Sequence, residues 1–239
     1  MFSRRDVLLT GGAAGAAMLA TAAHGRAPDP GEALADQLVA AMGGREAWTP
    51  LRGLTIRARH YETDVALPYD NALHIALAEP RMRFEGRNET MNRIRAVVGD
   101  KGWRMSEISP AGPLSSETVK SDLEWWETHA YRNVWRLARR DPHLTPRRHA
   151  DGRLELYRPD GSRLMWYRLN QAGEPVAFGR FGSETTTSIL GPLQDVAGPG
   201  VAGGVRLPTF SSSSDGTFRA VGQRATVYTT LPPVDWDKP

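Results

Sequence analysis

The chain has 239 residues, a formal net charge of +3 and no cysteine. The lack of cysteine excludes disulfide bonds and also excludes the lipidated cysteine of a bacterial lipoprotein. The nearly balanced charge disfavours a nucleic-acid partner, and the length suits a single large β-rich domain.

The N-terminal 22 residues have the pattern of a twin-arginine export signal. Arg4-Arg5 precedes a weakly apolar, Gly/Ala-rich run, and Ala20-Thr21-Ala22 supplies a small-residue cleavage site. A retained anchor or a buried helix is the alternative, but the run is shorter than the roughly 20 apolar residues that span a bilayer. We therefore expect export to the periplasm, with residues 1–22 as the signal, 23–30 as a linker and 31–239 as one domain.

Helical spacing appears twice in the mature chain. Apolar residues recur three or four apart from Gly31 to Met42 and stop at Gly43-Gly44, which is typical of a helix end. A second such stretch predicts one helix between Ser115 and Asp141. Because this second helix has tryptophans on more than one side, we expect it to act as a movable lid.

Alternation with a period of two predicts antiparallel strands in two meanders, one from Leu54 to about Met105 and one from Arg153 to Phe181. Turn residues such as Pro159-Asp160-Gly161 separate the strands. The fold class expected from this order is α+β, with a curved antiparallel sheet, an incomplete β-barrel, wrapping two or three helices.

Four segments of this arrangement resemble the outer-membrane lipoprotein carrier (LolA/LolB-like) superfamily. They are AMGGREAWTPLRGLTIRA at 41–58, AEPRMRFEGR at 78–87, VVGDKGWRM at 97–105 and DGSRLMWYRLNQAGEPVAFGRFG at 160–182. The resemblance implies a half-barrel that encloses a lipid-sized cavity. It implies a general periplasmic binder of hydrophobic ligands more than a carrier of lipoproteins.

The search for catalytic motifs gives little. Residues 198–203 match G-x-G-x-x-G, but no clear strand precedes them and no helix start follows, so a loop is favoured over a phosphate cradle. We find no zinc signature and expect no cofactor and no metal. His60 and His74 lie on neighbouring predicted strands, which leaves a hydrolase or metal-assisted enzyme as an alternative function.

A set of large apolar side chains is predicted to line the concave face and to bind the ligand, with a closed core as the alternative. The set is Ile56, Leu73, Ile75, Leu77, Met82, Phe84, Ile94, Trp103, Trp125, Trp126, Leu156, Trp166 and Phe178. The function expected is that of a non-enzymatic, monomeric carrier of a lipid or other hydrophobic small molecule, with a membrane or protein as a transient partner. A scaffold that uses exposed aromatic side chains as an interface is a further alternative.

Overall fold

The computed structural model describes residues 29–181 and 187–237, so the predicted signal peptide and most of the predicted linker lie outside the described residues. Within these ranges the chain forms four helices: α1 (Pro30–Ala41), α2 (Arg45–Trp48), α3 (Ser116–Glu127) and α4 (Ala130–Ala138). No helix in these two ranges combines the length and the apolar character needed to cross a bilayer.

The same residues form fifteen strands. In chain order they are β1 (Gly53–Glu62), β2 (Tyr69–Ala76), β3 (Arg81–Arg87), β4 (Asn92–Val98), β5 (Lys101–Ser106), β6 (Ser109–Pro113), β7 (Thr145–Arg148), β8 (Leu154–Tyr157), β9 (Arg163–Leu169), β10 (Pro175–Arg180), β11 (Ser188–Leu190), β12 (Leu193–Gly198), β13 (Val201–Pro208), β14 (Ser211–Ser213) and β15 (Phe218–Tyr228).

Thirteen of these strands make one antiparallel sheet in the order β6-β5-β4-β3-β2-β1-β15-β14-β11-β10-β9-β8-β7. The two meanders are joined in the middle, where β1 pairs with β15 from Gly53↔Tyr228 to Glu62↔Phe218. The sheet is large, curved and unclosed, since β6 and β7 remain as its two edges. The predicted α+β incomplete barrel is therefore confirmed, with four helices in place of two or three.

The first helix begins one residue earlier than predicted, at the end of the expected linker. The Asp29 carboxylate accepts a hydrogen bond from the Gly31 amide at 2.8 Å, and Pro30 occupies the first helical turn. Both features favour a helix start, because they satisfy or remove amides that have no intrahelical acceptor. The helix buries Leu38 and Val39 in the main core.

The predicted single helix between Ser115 and Asp141 is wrong, because the chain breaks into α3 and α4 at Thr128 and His129. Asn133, which is fully buried, donates its side-chain amide to the carbonyls of Glu127 and His129 at 2.8 and 3.2 Å. This buried amide gives the Glu127 carbonyl a donor at the break, whereas the His129 carbonyl also accepts the Asn133 backbone N–H at 3.1 Å as the first bond of α4.

Helix α4 is part of the fixed core. The Trp135 indole is only 9% exposed and donates to the Leu51 carbonyl at 3.0 Å, while the Tyr167 hydroxyl donates to the Ala130 carbonyl at 2.5 Å. The lid expected for the whole segment therefore cannot include α4. The buried Trp135 ring therefore offers no exposed aromatic surface to a partner.

The C-terminal segment covers the outer face of the first meander. Arg83 of β3 donates to the Asp235 carbonyl at 2.7 Å, and Trp103 of β5 donates its indole N–H to the Trp236 carbonyl at 3.1 Å. Trp236 is itself 7% exposed. Since α3 lies over the inner face, this part of the sheet is covered on both sides.

The glycine-rich segment at 198–203 forms the turn of the β12–β13 hairpin, in which Gly198 pairs with Val201. Strand β13 follows the turn directly, so the segment lacks the strand–loop–helix context of a dinucleotide site.

Candidate functional site

A cavity of about 1080 Å³ lies between the inner face of strands β1 to β5 and helix α3. Arg180 of β10 and Phe218 of β15 add walls from the other half of the sheet. The volume is slightly above the roughly 300–1,000 Å³ found for small-molecule sites. The cavity is therefore large enough for a lipid-sized ligand.

The floor of the cavity is apolar and accessible. Leu73, Phe84 and Trp125 line it, and each side chain is half-buried. Strand pairing places Leu73 directly opposite Phe84, so the two side chains share the inner face. Apolar area that remains in contact with solvent here could be buried by a ligand, at about 25 cal/mol per Å².

Five of the predicted ligand-binding residues line this cavity: Leu73, Met82, Phe84, Ile94 and Trp125. Ile94 borders it from β4, although its position opposite Glu85 gives it the same sheet face as the outer-face residue Arg83. Six others belong to or pack against the closed core: Ile56, Ile75, Leu77, Trp126, Leu156 and Phe178.

The expected concave-face position is wrong for Trp103 and Trp166, which lie on the outer face. Trp103 packs under Arg83, whose guanidinium carbon is 5.2 Å from the indole centre. Trp166 pairs with Glu155 and carries Arg153 over its ring at 5.5 Å. The neighbouring Leu156 and Met165 are the pair that faces the core. Alternation along each strand therefore turns both tryptophans away from the helices.

The joint site predicted for His60 and His74 is also wrong, although β1 and β2 do pair. His60 lines the cavity on the inner face, whereas His74 pairs with Thr55 on the outer face and shares a hydrogen bond of 2.9 Å with its hydroxyl. The two imidazoles lie on opposite sides of the sheet and cannot act on one substrate.

His60 instead belongs to a hydrogen-bonded cluster with two other residues that line the cavity, Tyr69 and Glu62. Its Nδ1 lies 3.2 Å from the Tyr69 hydroxyl, which in turn donates to the Glu62 carboxylate. Burial lowers the pKa of His60 to about 4, while burial and the Glu62 hydrogen bond raise the pKa of Tyr69. At neutral pH this cluster therefore presents an uncharged imidazole and an uncharged phenol.

The charged lining of the cavity was missed by the sequence analysis. Arg93, Arg95 and Arg104 come from β4 and β5, and Asp122 comes from α3. Alternating charges on a strand normally indicate a solvent-facing outer side, and here they face the cavity. One signal in the sequence is Trp236, a large apolar side chain in the C-terminal segment, which covers the other face of the sheet.

Metal-ligand geometry is not found in the described parts of the chain, where no three His, Asp or Glu side chains gather as ligands would.

No family model matches the sequence. No curated protein matches it either. Among solved structures, the chain is similar to a DUF1329 family protein from Desulfovibrio piger, with a TM-score of 0.48 and 10% sequence identity, over 85% of this chain and 95% of that chain.

Proposed function

We propose that this protein is a non-enzymatic, periplasmic binding or carrier protein for a lipid or another hydrophobic ligand. The observation that carries the proposal is the cavity between the inner sheet face and α3, with its apolar floor at Leu73, Phe84 and Trp125. The resemblance of its sequence segments to the lipoprotein carrier superfamily supports the same class of ligand. The Arg4-Arg5 signal supports the location.

The hydrogen-bonded cluster in the cavity favours binding over proton transfer. A general base works best when its pKa is near the operating pH. The pKa of His60, about 4, makes it a weak proton acceptor at neutral pH. His60 and Tyr69 are better suited to hydrogen-bond a ligand as neutral partners.

Ligand occupancy can be tested on protein purified from periplasm, by native mass spectrometry and by lipid extraction. We expect a co-purifying lipid and saturable binding of a fluorescent fatty acid. Repeated purification without lipid, together with no binding of the fluorescent probe, would sink the proposal.

Two tryptophans give a matched pair of variants for the same binding assay. Trp125 and Trp103 are both half-buried, but Trp125 lines the cavity and Trp103 lies on the outer face. Loss of a buried aromatic contact of about 1.5–3 kcal/mol predicts a ten- to hundredfold weaker affinity for Trp125→Ala. Trp103→Ala should bind the probe normally. Equal affinities of the two variants would place the ligand elsewhere.

The location has its own test, in which the full chain is expressed with Arg4 and Arg5 replaced by lysine. Export signals of this class are read by a receptor, and lysine does not reproduce the arginine fork. We expect the wild-type chain in the periplasmic fraction and the double variant in the cytoplasm. Periplasmic recovery of both would contradict this export route.

A further inference from the structure

One end of the cavity is polar and contains a buried carboxylate oxygen that has no hydrogen-bond donor among the described residues. Asp122 of α3 is 5% exposed and lines the cavity. Its Oδ1 lies 3.3 Å from Nη2 of Arg95, but its Oδ2 is buried and accepts no hydrogen bond from residues 29–181 or 187–237. A buried carboxylate oxygen without a donor is costly, so a donor from a ligand would be stabilising here.

Two arginines lie at the same end. Arg95 and Arg104 are directly opposite one another on β4 and β5, and both line the cavity. Arg104 makes no ion pair with any residue in the described ranges. Like charges at directly opposed positions destabilise a sheet. Asp122 pairs with Arg95, and Glu117, the other carboxylate that α3 contributes to the lining, forms no ion pair with Arg104 in the described ranges. The Arg104 guanidinium is therefore available to an anion.

The polar and apolar parts of the cavity follow one another along α3. Thr118, Asp122 and Trp125 all line the cavity and are spaced four and three residues apart, so they share one face of the helix. Asp122 is thus about one turn away from the apolar floor at Trp125, which fits a ligand with a polar head and an apolar tail.

We propose that Arg95, Arg104 and Asp122 bind the phosphorylated head group of the ligand, with its phosphate between the two guanidiniums and an ammonium or hydroxyl donor on Oδ2 of Asp122. This inference rests on the proposed lipid-binding function and names the ligand class as a phospholipid whose head group carries a hydrogen-bond donor. Arginine is the residue best suited to bind phosphate, through paired N–H donors.

The pKa of Asp122 offers a second test of this assignment. Burial raises the pKa of its carboxyl group, and the nearby Arg95 opposes that rise only in part. A cationic or hydroxyl donor on Oδ2 favours the ionised form, so ligand binding should lower this pKa.

Three soluble probes with the same short acyl chains separate the contributions of the phosphate and of the head-group donor to affinity. They are dihexanoylglycerol, dihexanoyl phosphatidylcholine and dihexanoyl phosphatidylethanolamine. The first has no phosphate, the second has phosphate without a donor, and the third has both. Calorimetric titration of the full mature chain should give affinities that rise about tenfold at each step, as expected for one charge-assisted interaction.

Two variants and one control assign the steps to residues. Asp122→Asn should abolish the preference for phosphatidylethanolamine over phosphatidylcholine. Arg104→Gln should weaken both phospholipids about tenfold and leave dihexanoylglycerol unchanged. Arg168→Gln removes an exposed arginine of β9 that does not line the cavity, and it should change nothing. Because Arg104 is exposed, its variant tests the site even where Asp122→Asn fails to fold.

The outcomes distinguish the two proposals. Equal affinities for the three probes, unchanged by Arg104→Gln, would overturn the head-group site while leaving a lipid-binding cavity. Binding of inorganic phosphate as tight as that of the phospholipids would make this a phosphate site and not a lipid head-group site. Binding of none of the probes would contradict the proposed function itself.

Discussion

Replacement of Trp126 by alanine tests whether the core below α3 is fixed. Trp126 is 8% exposed, its indole N–H donates to the Ala76 carbonyl at 2.7 Å, and the Arg132 guanidinium stacks 3.7 Å from the ring centre. Truncation of a core aromatic costs about 3–5 kcal/mol. Because the Ala76 carbonyl also loses its donor, we expect Trp126→Ala to lower the free energy of unfolding by about 5 kcal/mol.

Urea denaturation of matched variants separates the contribution of ring packing from that of the hydrogen bond to the Ala76 carbonyl. Trp126→Phe keeps most of the ring volume but has no N–H donor, so it should cost about 1–3 kcal/mol. Trp125, the next residue along α3, lines the cavity and touches His129 with a ring separation of 4.8 Å. We expect Trp125→Ala to cost about 1 kcal/mol or less, because its ring is half-buried beside the cavity.

Equal and large losses of stability in Trp125→Ala and Trp126→Ala would refute this reasoning. That result would mean that both indoles are packed on all sides, so that no open volume separates α3 from the sheet. The unfolding slope with urea should be the same in all three variants, which would show that the folded and unfolded states are unchanged in compactness.

Three further predictions follow from burial and backbone geometry. Three buried histidines have their pKa lowered from 6.5 to about 4 or about 3 by desolvation: His60, His74 and His129. Since the imidazoles of the unfolded chain take up protons first, the free energy of unfolding should fall as the pH drops below 6.5, by roughly 2 kcal/mol per histidine at pH 5. A free energy of unfolding that does not change with pH in urea titrations would contradict this. Gly43→Ala should prevent or severely weaken folding, because the added Cβ would overlap the Gly204 carbonyl. The added Cβ of Gly44→Ala meets no atom of the described residues, but φ 88° and ψ 165° form a backbone conformation that glycine alone adopts readily, so this variant should lose about 1–3 kcal/mol of stability, as thermal melts can measure. Trp236→Ala should lower the free energy of unfolding by about 3 kcal/mol and expose Trp103 to a fluorescence quencher. Unchanged quenching would show that the C-terminal segment does not cover the outer face of the sheet.

Local patterns were sufficient to predict most strands but not the pairing that defines the sheet. The period of two and the turn at Asp160-Gly161 are local signals, and β8 and β9 lie where these signals place them. The pairing of β1 with β15 joins residues that are far apart in sequence. The hydrogen bonds between paired strands join backbone groups that nearly every residue has. The composition of a strand therefore does not reveal which strand it pairs with.

The break between α3 and α4 was missed for a related reason. The spacing of apolar residues continues through Thr128 and His129, and neither residue is a strong helix breaker. The break is stabilised by the buried side-chain amide of Asn133, which binds the two carbonyls at the break. A polar residue on a helical face is usually assigned to solvent, so its structural role becomes visible only when burial is known.

The candidate site depends on which surface covers each face of the sheet, and a strand sequence does not contain that information. In β4, apolar Ile94 and Ala96 alternate with Arg93 and Arg95, and the usual rule assigns the apolar pair to the core. Here Ala96 shares its face with Arg83 and Trp103, where the C-terminal segment supplies the cover, so apolar side chains are as favourable outside as inside. The arginines on the inner face are tolerated because α3 leaves a cavity that keeps them solvated. The proposed binding cavity therefore depends on the separation between α3 and the sheet. Trp126 ties α3 to the end of β2 through its hydrogen bond to the Ala76 carbonyl, a contact that the sequence of the lining strands does not reveal.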